Sequence, residues 1–145
     1  MAHIKSYIEI KRDKDKIFDF IKDNMQDFPG FMKDIKRLEI IDKLTDNYVT
    51  AWWVEVEGNI VKWKEEDIFD KKKSKIEFKM IDGDYKNYEG QWTFKRTGRL
   101  TQVQIEADFD WGIPVLEQHV SRVLEKRAKF AFDGMLKALK NKLEK

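Results

Sequence analysis

PVLEQHVSRVLEKRAKFAFDGMLKALKNKL, residues 114–143, is the stretch from which the fold can be read. Leu116, Val120, Val123, Leu124, Ala131, Met135, Ala138 and Leu139 recur three or four apart, and Phe132, Leu136 and Leu143 widen the stripe. That spacing gives one helix a broad apolar face. Pro114 suits a first helical position, Glu117 the positive end, and Lys137, Lys140, Lys142 and Lys145 the negative end. About 30 residues at ~1.5 Å each make a rod of ~45 Å. No second long helix is present to cover its apolar face, so a sheet must.

The sequence before it supplies one. Ile4, Ser6, Ile8 and Ile10 alternate with Lys5, Tyr7, Glu9 and Lys11 as a first strand. Asp13 is the expected N-cap of a short helix burying Ile17, Phe18, Ile21 and Met25, and Asp27–Met32 reads as a tight turn with one more helical turn. From Asp34 the period falls to two. Strands are expected around Leu38 and Ile40, then over Tyr48–Glu57, Ile60–Asp70, Lys75–Ile81, Tyr88–Lys95 and Leu100–Trp111. Gly58-Asn59 is the expected hairpin connection, and Gly112-Ile113-Pro114 leads into the long helix. Short connections imply consecutive antiparallel pairing. The expected class is α+β: a six- to seven-stranded curved antiparallel sheet wrapped around a long C-terminal helix, with two short helices after strand 1.

Composition narrows the function. At 145 residues the chain is expected to form a single domain, residues 1–145, with a substantial core. Charged residues are 39% of the total, yet 29 basic against 27 acidic side chains leave a net charge of only +2. Nucleic-acid partners select a clustered basic excess, and none are expected here. The run Lys71, Lys72, Lys73 and Lys75 reads as a solvated turn. Tryptophans 52 and 53 are adjacent on a strand, so they face opposite sides and form no stacking platform. A Lys/Glu-rich chain without cysteine fits a hot environment. No apolar run reaches transmembrane length and none resembles a signal peptide, so a cytoplasmic protein without integral membrane association is expected, as a monomer or homodimer. With no cysteine and two distant histidines, neither a metal site nor a cofactor is expected. Phosphate loops, dinucleotide fingerprints and nucleophile elbows are also missing from the sequence.

Several residues in this order resemble the START-like (SRPBCC) helix-grip superfamily, described as polyketide cyclase/dehydrase and lipid transport. They are the first strand with the Ile17-Phe18 helix, then Phe28-Pro29-Gly30-Phe31-Met32, and Trp63 followed by Asp67. Gly90-Gln91-Trp92-Thr93-Phe94, Gly98 with Thr101-Gln102-Val103, and Gly112-Ile113-Pro114 complete the set. The resemblance implies a sheet curled around the long helix with an apolar cavity between. Members bind lipids, quinones, polyketides or hormones there, and a minority catalyse cyclisation, aromatisation or dehydration. The aromatase/cyclase members use an arginine and tyrosine set inside the cavity. Here Arg37, Arg96 and Arg99 fall at strand ends or turns, which weighs against cyclisation.

Strand parity points to the same cavity. Val61, Trp63, Glu65, Asp67 and Phe69 share a face that should be inner, because Lys62 and Lys64 opposite need water. Tyr88, Gly90, Trp92 and Phe94 share another, and Val103, Ile105, Ala107, Phe109 and Trp111 a third. Gly90 and Ala107 would leave room for a ligand, unless the long helix fills it. The expected ligand contacts are Trp53, Trp63, Tyr88, Trp92, Phe94, Phe109, Val120 and Arg127, the last either reaching inward or lying along the helix edge. Glu65 and Asp67 are candidate catalytic acids or bases, unless the register is shifted or they pair with cations at the rim. Glu55, sharing a face with Trp53, has the same ambiguity. His119, early in the long helix, is a candidate proton shuttle, a satisfied helix histidine being the alternative. The expected function is binding or transport of a small hydrophobic ligand. The alternatives are a cyclase, aromatase or dehydratase using the carboxylates or His119, and a macromolecule-interacting protein.

Overall fold

The structure is a computed structural model describing residues 2–56, 58–110 and 114–145, with only the backbone described over 114–124. The order is β1 (Ala2–Ile10), α1 (Lys14–Asn24), a 3-10 helix (Met25–Gly30), β2 (Ile35–Lys43), β3 (Asn47–Val56), β4 (Asn59–Asp70), β5 (Lys75–Gly83), β6 (Asn87–Thr97), β7 (Leu100–Asp110) and α2 (Pro114–Leu143). The second of the two expected short helices is thus a 3-10 turn, continuous with α1 and containing Pro29. Among the described residues, seven strands form one curved antiparallel sheet ordered β1-β7-β6-β5-β4-β3-β2. Every connection from β2 to β7 is a hairpin, and β1 closes onto β7 with Ile4 opposite Ala107 and Ile10 opposite Thr101.

Alternation decides which side is buried. Along β7 every second residue from Thr101 to Phe109 is buried. On β4 the buried set is Trp63, Glu65, Asp67 and Phe69, with Lys62 and Lys64 on the other face. Val56 pairs with Asn59, so Gly58, at φ +79°, rather than Asn59 occupies the β3–β4 connection. On β5 the register slips: Lys64 faces Asp82 while Glu65 faces Met80, leaving Ile81 as the extra residue of a bulge. The bulge brings Gly83 opposite Trp63, where an added Cβ would lie 2.4 Å from the Trp63 Cβ. Only glycine permits that approach.

Two groups of side chains cover the inner face. At one end α1 inserts Ile17, Phe18 and Ile21, with Phe18 edge-on to Phe69 at 6.2 Å and Phe94 at 5.7 Å between centroids. Asp13 is the N-cap by backbone geometry, but its side chain makes no capping hydrogen bond. Tyr48 packs on Phe69 at 4.6 Å and donates its hydroxyl to the Lys22 carbonyl at 3.1 Å. Along the rest lies α2, with Leu136 and Leu139 buried. Polar contacts fasten it to β1: Ser6 Oγ donates to Asp133 and Lys140 Nζ to the Glu9 carbonyl at 2.6 Å, and just past the ends of both elements the Lys11 amide donates to Glu144 Oε2 at 2.8 Å.

Candidate ligand chamber

Between the strands β3 to β7 and α2 lies a cavity of about 80 Å³. Its wall is aromatic and aliphatic: Trp52, Trp63, Phe78, Tyr88, Trp92 and Phe109 from the sheet and Tyr85 from the β5–β6 connection, with Ala128, Ala131, Phe132 and Met135 from α2. Trp52 and Trp63, cross-strand partners, stack with centroids 5.7 Å apart and planes 7° from parallel. Val54 and Val56 extend the wall along β3, and Arg127 reaches it from the helix.

Glu65 is the carboxyl in that wall, 3% exposed. Its Oε1 accepts from Trp63 Nε1 at 2.7 Å. Behind it Asp67, 1% exposed, accepts from Thr50 Oγ1 at 2.6 Å, and Thr50 Oγ1 in turn accepts from Trp52 Nε1 at 2.8 Å. The two stacked indoles therefore point their N–H groups into one buried acid network. Burial, then repulsion by Asp67, pushes the Glu65 carboxyl well above the ordinary range, and a hydrogen bond to Asp67 adds to the shift. Burial also raises Asp67, to about 6, against the lowering effect of hydrogen bonds from Glu65 and Thr50. Burial thus favours the neutral form of both carboxyls, most strongly that of Glu65. Neither acid is a rim residue paired to a surface cation.

The remaining expected site residues divide. Trp63, Tyr88, Trp92 and Phe109 line the chamber, as does Arg127, whose side chain is otherwise exposed. Trp53 does not: it lies on the outer face opposite Lys62, with the Arg37 guanidinium 4.8 Å from its ring centroid. Glu55 shares that outer face and pairs with Lys36 at 3.3 Å. A charged neighbour two positions away already argued for an outward parity, which makes Trp52 the inner residue. Phe94 is buried but is taken up by Phe18. Gly90 and Ala107 make no space either, since an added Cβ at Gly90 would sit 2.8 Å from Phe78 Cζ and 2.1 Å from the Glu106 carbonyl oxygen. Phe78 fills the room beside Gly90, and Ala107, though buried, is not in the cavity wall. The side chains of His119 and Val120 lie outside the described residues.

Sequence parity missed Trp52, Val54, Val56 and Tyr85. The first three share the alternation of Tyr48 and Thr50, a readable signal. Tyr85 comes from the β5–β6 connection, where periodicity says nothing.

Residues 10–144 match the family model described as polyketide cyclase / dehydrase and lipid transport. Among solved structures, the Thermus thermophilus protein TTHA0849 superposes with a TM-score of 0.91 at 21% identity, covering 97% of this chain and 95% of that one. The ZhuI aromatase/cyclase from Streptomyces sp. R1128 gives 0.87 at 15% identity over 99% and 93%. A START superfamily protein from Mycobacterium smegmatis gives 0.69 at 15% identity over 94% and 98%. At these identities the likeness concerns the fold. No curated protein matches the sequence.

Proposed function

Because this chain belongs to the polyketide cyclase / dehydrase and lipid transport family, we propose that it is a carrier or sensor of a small apolar ligand held between the sheet and α2. The observation that carries this reading is the chamber itself: an aromatic wall with a few polar groups set into it, the usual composition of a small-molecule site. Glu65 and Tyr88 orient the ligand, and the stacked Trp52 and Trp63 form one side of its bed. From the Lys/Glu-rich composition and missing cysteine we infer a warm environment, and we propose a cytoplasmic setting with the protein a monomer or homodimer. Native mass spectrometry of freshly purified protein, followed by organic extraction, tests the reading. The expected result is a stoichiometric small molecule that extraction releases. A protein that emerges empty and leaves its tryptophan emission unchanged on adding apolar compounds would count against it.

One observation favours a second reading, an acid–base enzyme of the cyclase or dehydratase type. Glu65 and Asp67 are two adjacent carboxyls buried at an apolar wall, and burial raises both, Asp67 to about 6, toward the range that general acid–base work requires. Glu65→Gln separates the two. A carrier shows no turnover in either form, whereas an enzyme loses turnover by roughly 10²–10⁴-fold in the variant.

A further inference from the structure

Among the described residues, two buried donors in the chamber wall have no acceptor. Tyr88 is 8% exposed, its ring fixed by Phe78 at 5.2 Å, Trp63 at 5.3 Å, Tyr85 at 5.5 Å and Phe109 at 6.4 Å between centroids. No described residue accepts a hydrogen bond from its hydroxyl, or from the indole N–H of Trp92, 5% exposed in the same wall. The contrast with Trp52 and Trp63 is direct, since both of their N–H groups are satisfied. A buried donor without a partner costs about 1–3 kcal/mol, so native proteins rarely leave one unless something else binds it.

Resting on the binding reading above, we infer that the chamber takes a small, uncharged, single-ring molecule whose oxygen accepts a hydrogen bond from the Tyr88 hydroxyl. Three features define the class. The wall offers spare donors, so the ligand brings an acceptor, as an aryl ketone or ester does. Charge is disfavoured: a carboxylate would face the buried Glu65–Asp67 pair, with the largely exposed Arg127 as the cation described in the wall, and an ammonium brings more donors and no acceptor. Size sets the third limit. A cavity of ~150 Å³ admits benzene, and this one encloses about 80 Å³, so a single ring enters only as pliable side chains such as Met135 give way. A fused-ring or long-chain ligand would need the helix to move.

Acetophenone and α-methylstyrene are a matched test pair, nearly the same shape with C=O exchanged for C=CH₂. Their binding to the wild-type protein and to Tyr88→Phe is measured by calorimetry, and the carbonyl stretch of ¹³C-labelled acetophenone is recorded bound and free in hexane. Expected is a roughly three- to tenfold loss of acetophenone affinity in Tyr88→Phe with α-methylstyrene unchanged. The stretch of the ketone bound to wild type should fall below its value in hexane. Should Tyr88→Phe fail to fold, the wild-type stretch alone decides. If both compounds bind but respond alike to the substitution, or the stretch stays at its hexane value, the role of Tyr88 is overturned while the binding chamber stands. Tighter binding of 2-acetylnaphthalene than of acetophenone overturns the size limit. No binding of either small ring at millimolar concentration, with an extracted native ligand of another class, overturns this proposal and spares the carrier. No binding with an empty protein overturns both.

Discussion

Two carboxyls two residues apart on a strand share a face, and burying that face forces a choice on their protons. At Glu65 and Asp67 burial raises both carboxyls, Asp67 to about 6, so that the neutral forms are favoured. An acid whose folded pKa exceeds its unfolded value binds more protons in the native state across the interval between them. Stability then falls as pH rises through that interval. For Asp67 the interval runs from 3.8 to about 6, and Glu65 extends the fall upward from 4.5. The pair's contribution is therefore fully present below pH 3.8 and lost as pH rises. The double substitution Glu65→Gln with Asp67→Asn is expected to become progressively more stable relative to the parent between about pH 4 and pH 8, by urea denaturation. A difference that stays flat with pH would mean the pair is not held protonated. Trp53 teaches another lesson at this scale. On a strand with aromatic residues of both parities, hydrophobicity cannot choose the inner face, and the charge on Glu55 is the better guide.

The elements divide the inner face between them. Because α1 fills one end with Phe18, the long helix closes only the remainder, and its half nearer the C-terminus is anchored on β1. Leu139, 0% exposed, is the most buried of its described side chains. Leu139→Ala is expected to cost about 2–5 kcal/mol in urea unfolding, a range typical of large-to-small core changes. Lys142→Ala, on an exposed side chain over the Phe31 ring, should change stability by under about 1 kcal/mol. Equal effects from the two would mean that α2 is not gripped where these contacts place it. The bulge on β5 acts at this scale too, since slipping one residue lets Gly83 rather than a larger side chain meet Trp63.

For the whole molecule, a charged fraction of 39% with nearly balanced signs predicts a thermal midpoint above the ~45–65 °C usual for mesophile domains, measured calorimetrically. A midpoint inside that range would remove the inference of a warm source. The sequence by itself determined a six- to seven-stranded sheet, the bounds of the long helix and the consecutive antiparallel pairing from β2 to β7, because each rests on a local period and on connections too short to cross over, whereas the pairing of β1 with β7 came from the tertiary structure. It also determined that Trp63, Glu65 and Asp67 face inward, since lysines on the opposite parity need water. What only the tertiary structure decided is where the inner face stays open. Phe94 and Gly90 have the same parity as Trp92, yet Phe18 and Phe78 occupy the space beside them. Whether an inward side chain meets a neighbour or a cavity depends on what arrives from distant parts of the chain. No local pattern encodes that.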